Sequence, residues 1–328
     1  YCLLSRGLGD VYKRQSIACK IFLIRWNEEK VSENIVRKEP RTLGQDLPPV
    51  GPIAFGLWRY TTEKLDKATE LLETAIELGM NLVDNADVYG FDWGGKGFGA
   101  CEELLGKVIK ANPHIRDQIV LSTKGGISPP VPYDSSSKYL RSACEGSLKR
   151  LGVEQIDLYQ IHRPDIYTHP SEVAETLDSL IEEGKIKAIG VSNYTPDQIS
   201  ALSSFLKAPL VTTQPEFSIS CLKPLRDGTL DQCSGKDIIP LAWSPLAGGR
   251  LATGEGVRPE LVELLDELGQ RESVDRAAIA IAFVLTHPTA PIAIVGTQQT
   301  ERLRKLSKAT SVNLNRDDVY NLIEASDG

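Results

Sequence analysis

The six cysteines of this sequence include no CxxC pair, and its four histidines form no HExxH motif. Neither set has the spacing of a metal-binding motif, so no metal site is expected. Cys2, Cys19, Cys101, Cys144, Cys221 and Cys233 are widely separated and are expected to be reduced thiols of a cytoplasmic protein. A basic surplus is also missing, since the formal net charge is −7. Nucleic acid and anionic membranes both reward a basic surface, so neither is expected as a partner. No apolar run is long enough to cross a bilayer. Ile17 to Ile24 is interrupted by Lys20 and falls well short of the ~20 residues a spanning helix needs. The chain does not begin with methionine, and Tyr1 to Gln15 resembles a translated sequencing adapter. Residues 1–38 are therefore expected to be disordered or spurious.

What is present is ordinary globular material, 41% apolar and 25% charged over 328 residues, ample for a large core. Strand-like apolar runs alternate with stretches of helical spacing. The runs are Ile53–Trp58, Asn81–Ala86, Ile119–Thr123, Ile156–Ile161, Ile186–Val191, Val211–Gln214, Ile239–Trp243 and Ile292–Val295. After the first, Ala68, Leu71, Leu72, Ala75 and Leu78 recur at helical spacing, and Gly79 is suited to end that helix. Further helices are expected after Gly99, from Lys138 to Leu151, before Gly184 and from Val274 to Leu285. Such alternation predicts a parallel sheet, and eight units over this length fit a (β/α)8 TIM barrel. The competing doubly wound sheet usually opens with a GxGxxG turn after its first strand. Here the first glycine-dense stretch, Gly90 to Gly99, follows the second run and lacks that spacing. The expected fold is α/β, a single barrel domain over residues 41–328, with Arg41 to Ile53 as a short hairpin plugging its bottom.

A barrel of this kind carries its site at the C-terminal ends of its strands, and those ends are chemically capable. Asp84 closes the second run with Tyr89 beyond it, Lys124 follows the third, and His162 follows the fourth. A phenol, with an ordinary pKa of about 10, is a poor acid at neutral pH. A neighbouring ammonium favours the phenolate and eases proton release. Lys124 would play that part, Asp84 would hold it charged and in place, and His162 would hydrogen-bond a carbonyl oxygen. In Asn81–Gly90, Ser122–Gly125 and Gln160–Asp165 the chain resembles the aldo/keto reductases, over about Ile53 to Lys308. Leu222–Asp231 and the segment around Trp243 are similar to a bacterial subgroup of uncharacterised oxidoreductases. The resemblance implies a catalytic tetrad of Asp84, Tyr89, Lys124 and His162.

It also implies an NADPH site. Ser192, Asn193 and Gln214 match residues that hydrogen-bond the nicotinamide carboxamide. Trp243, Ser244, Pro245, Leu246, Gly248 and Arg250 match the segment that stacks on the nicotinamide and wraps the pyrophosphate, with Trp243 where the family usually has tyrosine. Gly296, Thr297, Arg302 and Lys305 match the segment facing the adenosine phosphate, although Gly296 stands where a lysine is frequent. Gly56, Leu57, Trp58 and Asp84 complete the implied cofactor set. A helix starting near Gln298 would add a favourable dipole, and guanidinium suits phosphate geometry, so NADPH is expected over NADH. Trp58, Phe91, Trp93 and Arg163 are expected to line the substrate pocket. The implied activity is NADPH-dependent reduction of small aldehydes and ketones to alcohols, by a monomer or weak oligomer. The alternative is an NADPH-binding regulatory subunit with the same fold and slow turnover.

Overall fold

Eight parallel strands, hydrogen-bonded in sequence order, close into a barrel. They are β1 Ile53–Gly56, β2 Leu82–Asp84, β3 Val120–Gly125, β4 Ile156–Ile161, β5 Ile186–Ser192, β6 Leu210–Gln214, β7 Ile239–Ala242 and β8 Ile292–Val295. The computed structural model describes residues 33–92, 94–129 and 132–327. Trp93, Cys2, Cys19 and the expectations for Tyr1 to Gln15 and Ile17 to Ile24 lie outside the described residues. Helices cover the barrel: α1 Leu65–Glu77, α2 Ala100–Ala111, α3 His114–Gln118, α4 Ser137–Leu151, α5 Pro170–Glu182 and α6 Pro196–Ser203. They continue with α7 Thr229–Lys236, α8 Arg250–Thr253, α9 Pro259–Glu272, α10 Arg276–Leu285, α11 Thr300–Ser307 and α12 Arg316–Asp327.

Local chemistry accounts for the helix ends. Helix α1 buries Ala68, Leu71, Leu72 and Ala75 and stops before Gly79, whose φ of +77° suits a residue without a Cβ. Helix α6 opens on a reciprocal capping box between Thr195 and Gln198. Helix α10 opens on the Asp275 carboxylate, which accepts from the Ala278 amide. Every residue of α10 from Ala277 to Leu285 is buried.

Two apolar cores result. The larger lies between the outer faces of the strands and the helices. The smaller fills the lower barrel, where Leu43, Leu47 and Val50 pack with Ala54, Leu82, Val120, Leu158, Ile239 and Ile292. Arg41 and Val50 exchange backbone hydrogen bonds of 2.8 and 2.7 Å, so the expected hairpin forms and seals the bottom. The segment before it also joins the fold. Ile35 N–H donates to Leu314 O and Arg37 N–H to Leu285 O, with Val36 buried. The boundary expected at residue 38 therefore falls earlier, because residues 34–37 are tied to the C-terminal end of α10 and the segment preceding α12.

Several strand ends also move. Leu57, Trp58, Ala86 and Trp243 lie beyond the ladders, while β3 and β5 extend to Gly125 and Ser192. Lys124 is thus an interior strand residue paired with Gln160 in β4. Gly190 marks a register shift between β5 and β6. A Cβ there would lie 2.1 Å from Thr212 Oγ1 and 2.8 Å from Gln160 Cγ. Gly190→Ala is therefore expected to destabilise the fold by about 1–3 kcal/mol, read as a lower urea midpoint; an unchanged midpoint would refute the crowding.

Candidate active site

Above the apolar floor the barrel interior turns polar. Strands β2, β4 and β6 contribute Asp84, Gln160 and Gln214, in the way alternate strands fill one layer of such a barrel. Asp84 Oδ1 accepts from Gln160 Nε2 at 3.2 Å and from Gln214 Nε2 at 3.0 Å. Its other oxygen, Oδ2, accepts from Lys124 Nζ at 2.7 Å. Gln160 Nε2 also donates to Ser122 Oγ at 2.9 Å, and Gln214 Nε2 approaches Gln160 Oε1 at 3.4 Å. Each of these side chains is buried.

Lys124 is the hub. Its ammonium has no exposure and three donors, which go to Asp84, to Asn85 O at 2.8 Å and to Tyr89 OH at 3.0 Å. Burial pulls its pKa down most strongly of any one influence, but the Asp84 carboxylate and Tyr89 together outweigh that and hold it above the ordinary lysine value. The Lys124 ammonium also lies 4.8 Å from the centre of the Tyr89 ring, and the His162 ring meets Tyr89 edge-on at 5.7 Å. The four expected side chains therefore converge at one rim.

Electrostatics corrects one expectation. The Tyr89 pKa is raised, because burial of the phenolate outweighs the lowering by Lys124. The phenol stays protonated at neutral pH, the state a proton donor requires, and Lys124 eases the departure of that proton without making the group intrinsically acidic. Burial, with the Lys124 and Arg163 charges, drives the His162 pKa well below its usual value. Its imidazole is neutral at neutral pH, and its buried Nδ1 has no partner among the described residues.

Beside the tetrad lies a second polar group. Ser192 Oγ donates to Gln214 O at 3.0 Å and accepts from Asn193 Nδ2 at 2.8 Å. Asn193 has a left-handed backbone, φ +61°, and its Nδ2 also reaches His162 O at 3.3 Å. Trp243 Nε1 donates to Asn193 Oδ1 at 3.0 Å, and the Arg163 guanidinium lies 5.9 Å from the centre of the Trp243 ring. Beyond it, Ala247, Gly248 and Gly249 have φ of +49°, +73° and +105°. Nothing lies within 4 Å of a Cβ built on either glycine, leaving an open backbone cradle.

A sequence model of the Aldo/keto reductase family matches residues 52–327. The chain belongs to this family. A protein named 6-dehydroglucose reductase from Novosphingobium aromaticivorans is 45% identical over 291 residues, covering 88% of this chain and 95% of its own. An uncharacterised oxidoreductase, YcsN of Bacillus subtilis, is 36% identical over 302 residues, covering 87% of this chain and 97% of its own. The crystal structure of the thermostable aldo-keto reductase Tm1743 with the inhibitor epalrestat superposes with a TM-score of 0.76 at 27% identity, covering 88% of this chain and 99% of that one.

In this aldo/keto reductase the remaining expected residues are placed unevenly. Leu57 is fully buried in the outer core and its N–H is bound to Asp84 O, so its side chain faces no site. Gly56 and Gly296 approach closely; a Cβ on Gly296 would stand 3.1 Å from Gly56 O. Trp58 is partly exposed against the Arg59 guanidinium, and Phe91 is half exposed. Pro245 is buried, Leu246 is half-buried against the outer core, and Ser244 Oγ accepts from the Gly248 amide at 2.9 Å. Thr297 Oγ1 accepts from Gln299 N–H at 3.3 Å. Helix α11 starts at Thr300 rather than near Gln298, with no side-chain cap from Gln299. Arg302 is exposed on it; Lys305 lines a surface cavity of about 620 Å³ with Ala252, Arg276 and Lys308. Arg304 turns instead toward Glu77, at 3.7 Å.

Two contributors escaped the sequence reading: the Asn85 carbonyl, which no side-chain pattern reveals, and Gln160. A signal for Gln160 existed, since it lies two residues before His162 and strand side chains alternate. An amide on the face that Leu158 and His162 share marks the inner surface.

Proposed function

We propose that the protein reduces a small aldehyde or ketone to its alcohol, with NADPH as hydride donor and Tyr89 as proton donor. The observation carrying this reading is the Lys124 ammonium bound at once to Asp84, Asn85 O and Tyr89 OH, within 3.0 Å of each. NADPH, when bound, supplies the hydride that adds to the carbonyl carbon. Tyr89 gives its proton to the carbonyl oxygen, and Lys124 stabilises the phenolate left behind. A neutral His162 offers an N–H to the same oxygen and steers its approach.

The residues present suit a nicotinamide dinucleotide. Gln214 Oε1 accepts from no described residue, and it remains available to an amide of the nicotinamide carboxamide. Ser192 and Asn193 flank it. The open space over Gly248 and Gly249 lets a pyrophosphate approach the backbone closely, with Arg250 next in sequence. Arg302 and Lys305 are cations for a 2′-phosphate. Arg302→Ala is expected to weaken NADPH binding by about tenfold and NADH binding much less. Fluorescence titration with both cofactors decides it, and equal loss for the two would remove Arg302 from that role.

The name of the Novosphingobium relative points to a sugar-derived aldehyde as the substrate class. The reported relatives are named as reductases or an oxidoreductase, and none supports the regulatory alternative. Steady-state NADPH oxidation against polyhydroxylated and simple aldehydes tests the reading; tight NADPH binding without turnover of any of them would defeat it.

The pH dependence has a definite sign. Reduction requires protonated Tyr89, whose raised pKa places the alkaline limb above the ordinary tyrosine range. Neutral His162, with its depressed pKa, places the acid limb below about pH 6.5. The kcat/KM for reduction should therefore stay level from about pH 6.5 to 9. A limb within that interval would mean that another group controls the step.

A further inference from the structure

The Asp84 carboxylate accepts three hydrogen bonds, and the tetrad supplies only one of them. The others come from the Gln160 and Gln214 amides. Gln160 has no exposed surface and donates one N–H to Asp84 Oδ1 and another to Ser122 Oγ. Its Oε1 faces Gln214 Nε2. Both ends of the amide are therefore assigned, and a flip would set Oε1 against the Asp84 carboxylate. Gly190 makes room for it, since a Cβ there would strike Gln160 Cγ at 2.8 Å. A glutamine this fully enclosed desolvates both polar ends of its amide at a cost that a leucine would avoid.

We infer that Gln160 is a positioning residue for the proton donor: it fixes the Asp84 carboxylate, which fixes Lys124 against Tyr89, and it joins that relay to Gln214. The inference rests on the proposed role of Tyr89. Gln160 touches neither substrate nor cofactor. Asp84 Oδ2 would still face Lys124 without it, but Oδ1 would keep a single donor and the carboxylate could rotate about its Cβ–Cγ bond. A rotated carboxylate loosens the ammonium, and a looser ammonium stabilises the phenolate less.

The groups that bear on this response are on several elements. Tyr89 is faced by Lys124 of β3, Asp84 of β2, Cys101 of α2 and His162 after β4. Asp87 and Glu102 lie behind Lys124 with Arg150 of α4, and Arg163 adjoins His162. Gln160→Leu leaves all of these in place. Removing a donor from Asp84 also concentrates its negative charge, which disfavours the phenolate as well. Both effects move the alkaline limb of reduction upward.

The test uses the full chain with NADPH and an aldehyde that it reduces. Gln160→Leu is expected to lower kcat by about 10- to 100-fold, to shift the alkaline limb upward, and to leave the NADPH dissociation constant and the thermal midpoint nearly unchanged. In Gln160→Glu, two neighbouring carboxyl groups share a site and one is driven to hold its proton. That variant should lose kcat as rising pH strips the new carboxyl, and recover toward wild-type kcat as falling pH restores the proton that it donates to Asp84. A merely structural role predicts no such recovery. Wild-type kcat and pH profile in Gln160→Leu would overturn the inference, as would equal loss in both variants with no change of profile. Tyr89→Phe, measured alongside, separates the two readings: if it keeps wild-type turnover, the proposed function fails, whereas if it is inactive and Gln160→Leu is not, only the role of Gln160 fails.

Discussion

Tyr89→Phe is expected to reduce kcat for carbonyl reduction by on the order of 10³-fold, about 4 kcal/mol of transition-state stabilisation. The substitution removes one oxygen and leaves the ring in its edge-on contact with His162. Lys124 retains Asp84 and Asn85 O as partners, so the ammonium stays in place. NADPH affinity should hold, because the cofactor residues proposed here include no contact through the phenol. Loss of kcat with unchanged cofactor binding is the signature of an interaction made chiefly in the transition state. Stopped-flow single turnovers separate the chemical step from cofactor release. A variant with near-normal single-turnover rate would show that the proton comes from elsewhere.

Lys124→Met is the second large effect, and it reaches stability as well as rate. The native pair is fully enclosed at 2.7 Å. Removing one member of a buried pair strands the other charge and costs about 3–5 kcal/mol. Gln160 and Gln214 still solvate Asp84 Oδ1, which argues for the lower part of that interval. Adding Asp84→Asn should recover stability, since no charge is then stranded, but not activity. Chemical denaturation of the two single variants and the double variant gives the coupling directly. If the double variant is as unstable as Lys124→Met, the stranded-charge account is wrong.

The barrel was legible because its evidence is repeated: eight apolar runs, each followed by helical spacing. Strands β4 and β8 begin and end where the apolar runs do. Others were overrun, since Leu57 and Ala86 stay fully buried after their ladders end. Apolar pattern reports burial, and burial outlasts hydrogen-bonded pairing where loops fold back over the barrel. The meeting of Asp84, Lys124 and His162 with Tyr89 was legible for the opposite reason. An aspartate, a lysine and a histidine at the ends of apolar strands add little to stability, so their chemistry stands out. Gln160 drew no notice because its meaning depends on Asp84, 76 positions away. The indole of Trp243 was expected to stack, but its bond to Asn193 depends on a left-handed backbone at Asn193 that composition does not announce. The direction of the Tyr89 shift likewise depends on how much solvent the fold removes, which no local pattern encodes.

The hairpin under the barrel has a consequence for turnover. Leu43, Leu47 and Val50 cork the axis beneath a greasy floor, and the cluster they form among the described residues is made of apolar side chains that carry no exchangeable hydrogen. In the proposed reaction Tyr89 is recharged from bulk water across the open rim, by the same doorway through which reactant enters and alcohol departs. Recharging and release thus share one exit, and a bulky alcohol that lingers there would delay both.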